Sequence, residues 1–450
     1  MVNNKIRVRF APAPTGMMHL GNIRTALMNY LFAKQKGGTF ILRIEDTDPQ
    51  RNYDPQAVHI REDLEWLAIA WDEGVGKGGS YGPYFQSERS QIYQEKLDYI
   101  ASLKIAYRCF CTEEELNKKR ERQQLLKMPP RYDRTCLHRT DQNVQDLLAA
   151  NTPFIWRLKL DHARTVVIHD LARGPVKFEL QHFSDLSLTR QDGSFTFVFA
   201  NLVDHMTMHV SHILCGEEHC SNTAGQAALY EAFNVLIPVF FHMPLICNLN
   251  GQKLSKRDFG FSLRDLRAAG YTPEAIVNYL GIIGTSFEQE IMPLEQLAQA
   301  INFDTIHTTG HIKYDAEKLA WMNHKWITRY SIAQLVDLCK PFLFEAYPAA
   351  TNLDQVTLES LFNGIKTDLT TLRDCAPALK FYFEKPTLSS ASFQAIIDLS
   401  LLPKIKKLLV NQLATIGETD LFIGTIKKNA KDEQIPLKSF FWFIRVALTS

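Results

Sequence analysis

The chain lacks the features of a membrane, secreted or disordered protein. No run of 18 apolar residues occurs, and the basic start MVNNKIRVRF is not followed by the apolar segment of a secretory signal. Internal repeats and low-complexity segments are absent as well. We therefore expect a globular, cytoplasmic protein with no membrane segment.

Excess charge of one sign is also missing, since 50 Lys and Arg residues are balanced by 49 Asp and Glu. Near-neutrality lowers the expectation of nucleic-acid binding without excluding it, because only the binding face must be basic. Cysteine is sparse, with eight residues in 450. Without a secretory signal, these cysteines indicate free thiols or metal ligands rather than a disulfide framework.

Apolar residues make up 46% of the chain, and its length predicts about three domains. The segment KIRVRF alternates apolar and charged residues, as a strand does, and leads into the loop PAPTGMMHLGN. An apolar stripe at helical spacing starts at Ile23 and stops at Gly37-Gly38, and TFILRIED then has the composition of a second strand. This βαβ order predicts a ligand site at the carboxyl ends of the strands.

Two motifs are suited to phosphate. HLGN (19–22) lies where the first helix begins, so that backbone N–H groups and the helix dipole favour an anion. KLSKR (253–257), between turn-forming residues, is a cationic loop suited to a polyphosphate. Taken singly, each has a plainer interpretation: Asn22 as an N-cap beside a surface histidine, and a solvated basic loop.

These residues carry a family resemblance. HLGN and KLSKR resemble the HIGH and KMSKS motifs of class I aminoacyl-tRNA synthetases. RFAPAPTGMMHLGNIRTALMNYLFA, GGTFILRIEDTD, YFQSER and KLSKRD resemble bacterial glutamyl-tRNA synthetases over most of the chain. The resemblance implies ATP-dependent formation of a glutamyl-adenylate, transfer of glutamate to tRNA, and release of AMP and pyrophosphate, with Mg²⁺ bound together with ATP.

The resemblance also implies the site residues. The catalytic set is His19, Asn22, Lys253 and Lys256. The ATP-binding set is Thr15, His19, Gly21, Glu218, Lys253, Ser255, Lys256 and Arg257. The substrate-binding set is Arg9, Ala11, Ala13, Glu45, Phe197, Asn201 and Cys215. Within it, Arg9 corresponds to an arginine that contacts the substrate and Glu45 to the partner of the α-amino group. The alternative for Arg9 and Glu45 is a structural ion pair at the strand ends.

Three positions depart from the glutamyl pattern, namely Ala13 for serine, Phe197 for tyrosine and Cys215 for the arginine that faces the side-chain carboxylate. A buried carboxylate without a cation is costly, whereas a neutral amide needs none. Side-chain specificity is therefore glutamate with a substitute cation, glutamine, or relaxed. We expect glutamate, because the remaining motifs are glutamyl-like.

Cysteine and histidine concentrate in two places. Cys109, Cys111, Cys136 and His138 form C-x-C-x24-C-x-H, two ligand pairs that predict a structural zinc site. The stretch HILCGEEHC (212–220) is instead predicted to be a strand and turn, because adjacent strand residues point to opposite faces. His205 and His209 are predicted to be ordinary polar positions rather than further ligands.

The expected fold class is α/β: a split Rossmann-like nucleotide-binding fold with an inserted acceptor-binding and zinc domain, a stem-contact domain and an all-helical anticodon-binding domain. The predicted ranges are 1–90 and 190–240, 91–189, 241–326, and 327–450, the last shortened relative to the family. Expected partners are ATP, glutamate and tRNA(Glu), with tRNA(Gln) as a second candidate, and the chain is expected to be a monomer.

Other interpretations compete with this one. A relative that glutamylates a tRNA base is disfavoured because that family lacks the C-terminal helical domain. A simple nucleotidyltransferase would not need 190 residues after its basic loop. A non-catalytic RNA-binding paralogue is disfavoured by the intact His19, Lys253 and Lys256.

Overall fold

A computed structural model describes residues 5–254, 260, 262–306, 310–384, 401–413 and 419–449. The chain divides into two compact units, Met1–Trp326 and Ile327–Ser450. Three residues of the predicted ATP site, Ser255, Lys256 and Arg257, lie outside the described residues.

Among the described residues, all strands lie in the first unit. Their bounds are β1 Arg7–Phe10, β2 Thr39–Leu42, β3 Glu73–Gly74, β4 Ala106–Cys109, β5 Ile155–Leu158, β6 Thr165–Asp170, β7 Gly174–Glu179, β8 His212–Gly216, β9 Val239–Met243, β10 Ile246–Cys247 and β11 Ile312–Lys313.

The helices run through both units. Their bounds are α1 Leu20–Lys36, α2 Val58–Trp66, α3 Ser90–Ser102, α4 Glu113–Leu125, α5 Asp141–Ala149, α6 Phe197–Thr207, α7 Cys220–Ala232, α8 Leu263–Ala268, α9 Pro273–Ile282, α10 Leu294–Ala300, α11 Ala316–Ile327, α12 Ile332–Ala346, α13 Gln355–Ile365, α14 Cys375–Ala378, α15 Lys380–Phe383, α16 Leu402–Leu413, α17 Thr419–Asp432 and α18 Leu437–Thr449.

The predicted βαβ unit is present. Strands β1, β2 and β3 form a parallel sheet in that order, and α1 connects β1 to β2. Helix α1 begins at Leu20, earlier than the stripe from Ile23 suggested, because His19 is the N-cap and forms a capping box with Asn22. It ends at Gly37, whose left-handed φ of 61° suits glycine.

A second sheet has the order β7-β6-β9-β8, with β8 and β9 parallel. The β6–β7 hairpin includes the segment RGPVKFE, which the sequence assigned to the insertion, yet it pairs with β9 and its Val166 and Ile168 join the main core. The start of β8 lies beside β1, because the Ser211 N–H donates to the Arg7 carbonyl at 2.9 Å. The carboxyl ends of β1 and β8 therefore lie at one edge.

The second unit is helical. The apolar stripe in SIAQLVDLCKPFL predicts a helix, and helix α12 is present there. It begins with a capping box at Ser331 and contains Pro341. Of the second predicted stripe, from FQAIIDLS onward, residues 393–400 lie outside the described residues, and α16 covers its end.

Among the described residues, no helix is both long and apolar enough to cross a lipid bilayer.

Candidate active site and cysteine cluster

A cavity of about 480 Å³ opens at the carboxyl ends of β1 and β8, beside the N-terminus of α1. It gathers most of the predicted site residues: Arg9, Ala11, Ala13, His19, Gly21, Asn22, Glu45, Phe197, Asn201, Cys215, Glu218 and Lys253. Thr15 is not among the residues that line it. One cavity thus brings Lys253 and Leu254, the described residues of KLSKR, together with HLGN, from which they are separated by more than 230 residues.

The N-cap of α1 determines the tautomer of His19. The Asn22 N–H donates to His19 Nδ1 at 3.3 Å, so that Nδ1 is an acceptor and the ring proton lies on Nε2. Burial, and then the nearby Lys253, lower the pKa of His19, which favours the neutral ring. His19 is therefore an N–H donor at a helix N-terminus, next to a lysine.

Arg9, on β1, is held in the wall of the cavity by neutral groups. Its Nε donates to His205 Nε2 at 3.0 Å, and its Nη1 donates to the Leu214 carbonyl at 3.1 Å. His205, predicted to be an ordinary polar position, is instead buried, and its Nδ1 lies 3.1 Å from the Tyr230 hydroxyl. Burial lowers the pKa of His205 well below its usual value, and Arg9 and Arg43 lower it further, so the ring is neutral.

Glu45 does not pair with Arg9, contrary to the alternative of a structural ion pair between them. Its carboxylate accepts from Arg43 Nη2 at 3.0 Å and from Asn201 Nδ2 at 2.5 Å. The Asn201 Oδ1 atom is buried and has no hydrogen-bond partner among the described residues. The Asn201 amide thus presents an acceptor beside a carboxylate, an arrangement suited to an ammonium group.

The three positions that depart from the glutamyl pattern all line this cavity. Burial raises the pKa of the Cys215 thiol to about 12, so this side chain is neutral. The Phe197 ring lies 6.0 Å from the ring of His219, measured between centroids. None of the three supplies a charge to the substrate.

The stretch HILCGEEHC forms β8, a 3₁₀ turn and the start of α7, which confirms the predicted strand and turn. Its two glutamates have different surroundings. Glu217 pairs with Arg173 at 3.0 Å and accepts from the Leu245 N–H, whereas Glu218 lines the cavity. The Glu218 carboxylate folds back over Gly216, where a Cβ would come within 2.0 Å of it and the glutamate side chain would have to shift.

Sequence reasoning missed two buried groups next to the cavity. One is the His205–Tyr230 pair behind Arg9. The other is Asp170, which accepts from His242 Nδ1 at 2.7 Å, while His242 Nε2 lies 3.0 Å from the hydroxyl of Thr223. Neither group belongs to a motif, since its members are brought together only by the packing of β6, β9, α6 and α7.

The cysteine cluster lies on β4, on the segment that directly follows β4 and on the 3₁₀ turn Thr135–His138, and none of its three cysteines lines the cavity. The sulfurs of Cys109, Cys111 and Cys136 lie within 4.8 Å of one another, and those of Cys111 and Cys136 are 3.6 Å apart. Thiolates around one zinc, at about 2.3 Å each, would be about 3.8 Å apart in a tetrahedron. The donor set therefore fits zinc.

The predicted fourth ligand, His138, is exposed and does not belong to this group. Residues two apart in a 3₁₀ helix point in different directions, so Cys136 can face the thiols while His138 faces away. The hydroxyl of Tyr132 instead lies 3.2 Å from Cys109 Sγ and 3.9 Å from Cys111 Sγ.

Comparison with known proteins agrees with this geometry. Residues 5–321 match the family model of the class I tRNA synthetase (E and Q) catalytic domain, and residues 334–450 match an anticodon-binding domain. The chain is 36% identical to the glutamate–tRNA ligase of Carboxydothermus hydrogenoformans, covering 99% of this chain and 94% of that protein. It is 37% identical to the enzyme of the same name from Elusimicrobium minutum, covering 99% and 93%.

The solved structures agree as well. The crystal structure of a glutamate tRNA ligase from Elizabethkingia meningosepticum, in complex with its amino acid, matches with a TM-score of 0.88 at 30% identity, over 99% of this chain and 93% of that one. The fold, the shared cavity and these matches together show that the chain belongs to the class I tRNA synthetases of the E and Q type.

Proposed function

We propose that this protein attaches glutamate to tRNA(Glu) through a glutamyl-adenylate, consuming ATP and releasing AMP and pyrophosphate. The observation that carries the proposal is the single cavity that combines a phosphate-type end, His19 and Lys253, with an amino-acid end, Arg9, Glu45 and Asn201. The curated relatives, each named glutamate–tRNA ligase, support it.

The chemistry suits this site. Attack of a carboxylate on the α-phosphorus needs no protein nucleophile, but it needs in-line positioning and stabilisation of the departing pyrophosphate. The Nε2–H of His19 and the ammonium of Lys253 would supply that stabilisation, and Glu218 would contact ATP. Lys256 lies outside the described residues, and we assign it the same role because it belongs to the KLSKR motif. Magnesium bound with ATP would neutralise part of the phosphate charge.

The amino-acid end is assigned from its polar groups. The Glu45 carboxylate and the Asn201 Oδ1 atom would hold the α-ammonium, because both are acceptors next to the cavity. Arg9 would face the carboxylate of the substrate side chain. The helical second unit, which matches an anticodon-binding domain, would contact the tRNA, with tRNA(Gln) as a second candidate and a monomer as the working form.

The test is ATP–pyrophosphate exchange, measured with glutamate and with glutamine, each with and without tRNA. Exchange with glutamate in the presence of tRNA, followed by formation of glutamyl-tRNA, is expected. Exchange with glutamine alone would reverse the substrate assignment, and exchange with neither amino acid would reject the enzyme.

We also propose a structural zinc ion on the thiols of Cys109, Cys111 and Cys136. Their spacing and soft donor atoms support it. Elemental analysis of the purified chain should give one zinc per molecule. Cys136→Ala should lose the zinc, and Cys220→Ala, outside the cluster, should keep it. His138→Ala should keep it as well, and loss of zinc in that variant would return His138 to the ligand set.

A further inference from the structure

The buried charges next to the amino-acid end of the cavity do not balance. Arg43 pairs with Glu45 at 3.0 Å and with Asp204 at 3.3 Å, and Arg89 pairs with Asp204 at 2.6 Å. Two guanidinium groups therefore face two carboxylates. Arg9, 7% exposed, is a third guanidinium, and it forms no ion pair within the described part of the chain.

Neutral acceptors hold Arg9 in place instead. His205 Nε2 accepts from Arg9 Nε, so the imidazole proton lies on Nδ1 and is donated to the Tyr230 hydroxyl. The Leu214 carbonyl accepts from Nη1. Two of the three guanidinium nitrogens are thereby fixed in the wall of the cavity, and their acceptors carry no full charge.

The neutrality of these acceptors has a consequence for the ligand. A carboxylate in the place of His205 would hold the guanidinium equally well, but it would also cancel the charge of Arg9. With an imidazole, the unpaired positive charge is available to a ligand, and in a buried site such a charge strongly favours a carboxylate over an amide. The preference is assigned to Arg9 because its Nη1 donates to the Leu214 carbonyl, directly beside the neutral thiol of Cys215. Arg24, the other buried guanidinium that lines the cavity, donates instead to the carbonyls of Pro244 and Ile283.

We infer that His205 is a specificity-determining positioning residue, which orients Arg9 without neutralising it, so that Arg9 selects a substrate with a side-chain carboxylate. This inference rests on the proposed function, since it names the group that distinguishes glutamate from glutamine in the same site. It explains how a site without arginine at position 215 still offers an uncompensated positive charge to the substrate.

Three variants of His205 test the inference in ATP–pyrophosphate exchange with tRNA present. His205→Asp keeps an acceptor for Arg9 but cancels its charge, and should raise KM for glutamate about 30-fold, which corresponds to roughly 2 kcal/mol. The preference for glutamate over glutamine, measured as the ratio of their kcat/KM values, should decrease in the same variant. His205→Gln keeps a neutral acceptor and should remain within about threefold of wild type, whereas His205→Leu, which has none, should raise KM about tenfold.

In all three variants KM for ATP should stay within about twofold of wild type, because the phosphate end is not touched. An unchanged KM for glutamate in His205→Asp would overturn the inference. The inference would also be overturned if KM for glutamate rose as much in His205→Gln as in His205→Leu while both variants kept the melting temperature of wild type. This comparison of His205→Gln with His205→Leu tests the inference even if His205→Asp does not fold. A wild-type chain that shows no exchange with glutamate would reject the proposed function and the inference together.

Discussion

At the residue scale, the pocket works through protonation states that neighbouring groups impose. Burial lowers the pKa of both His19 and His205, which favours the neutral rings. The Asn22 N–H on Nδ1 leaves His19 Nε2 as a donor, whereas the guanidinium of Arg9 makes His205 Nε2 an acceptor. Two histidines of one cavity thus have opposite hydrogen-bonding roles. Neither role is a property of the residue type alone.

His19→Asn tests the role of the first histidine. Asparagine is a good N-cap and should preserve α1, but its shorter side chain does not replace the Nε2–H donor. We expect kcat for adenylate formation to fall about 100-fold, the usual loss for one transition-state donor. His59→Ala, at an exposed position of α2, is the control and should not change the rate. A rate in His19→Asn within threefold of wild type would contradict the assignment.

Asp170→Asn tests the buried Asp170–His242 pair. Burial alone would raise the pKa of Asp170, but hydrogen bonds from the side chain and backbone of His242 outweigh it and lower the pKa below its usual value. The substitution should lower the free energy of unfolding by about 2 kcal/mol at pH 7, measured by urea denaturation. Asp146→Asn, exposed on α5, should change it by no more than about 0.5 kcal/mol.

The sign of the pH dependence follows from the lowered pKa. The ionised Asp170 stabilises the folded chain above its unfolded pKa of about 3.9, and this contribution is lost as the pH falls toward the lower folded value. The difference in free energy of unfolding between wild type and Asp170→Asn should therefore become smaller below about pH 4. A constant difference across this range would show that the ionised form is not what stabilises the fold.

At the element scale, helices with similar sequence signals have different surroundings. Gly281 in α9 and Gly364 in α13 each lie near the end of a helix, where alanine has the higher intrinsic propensity. A Cβ at Gly281 would lie 2.3 Å from Cδ2 of the fully buried Leu297 on α10, whereas a Cβ at Gly364 would have no atom within 4 Å. The same substitution therefore has opposite expected effects.

Gly364→Ala should stabilise the second unit by about 0.5 kcal/mol, because only the unfolded-state entropy and helix propensity change. Gly281→Ala should destabilise the first unit by about 1–3 kcal/mol, because α9 and α10 must separate to admit the methyl group. Thermal unfolding should show a higher melting temperature for the second unit in Gly364→Ala and a lower one for the first unit in Gly281→Ala. Stabilisation by Gly281→Ala would mean that Leu297 repacks freely.

At the scale of the whole molecule, each of the two units has its own buried core. The first contains the cluster around α1 and β1–β3, and the second contains the cluster around Leu335, Leu343 and Phe362. The cavity lies in the first unit. Ligands that bind only the folded first unit should therefore stabilise that unit and leave the second unchanged.

Calorimetry of the full chain should show two unfolding transitions. ATP and glutamate, each at 100 times its dissociation constant, should each add about 2.7 kcal/mol to the first unit and shift only its transition. Gly364→Ala identifies the other transition, since it should move that one alone. A single transition that both changes move together would show that the units unfold as one.

The sequence by itself determined the parts of this protein that depend on local pattern. The βαβ start and the helical stripes of the second unit follow from spacing and residue type. The family follows from the resemblance of HLGN, KLSKR and their neighbouring segments to its motifs, and the family models confirm it. The clustering of the three thiols was also predictable, since the motif has two close pairs of ligand-type residues separated by a short segment of the chain.

Only the tertiary structure decided what depends on residues distant in sequence. His205 accepts from Arg9 across 196 positions, the β6–β7 hairpin pairs with β9, and His138 is exposed and lies outside the thiol cluster. Periodicity records which residues share a face of their own helix or strand. It carries no information on which group of another element meets that face, and that contact sets the charge of a buried side chain and hence the ligand that the cavity can bind.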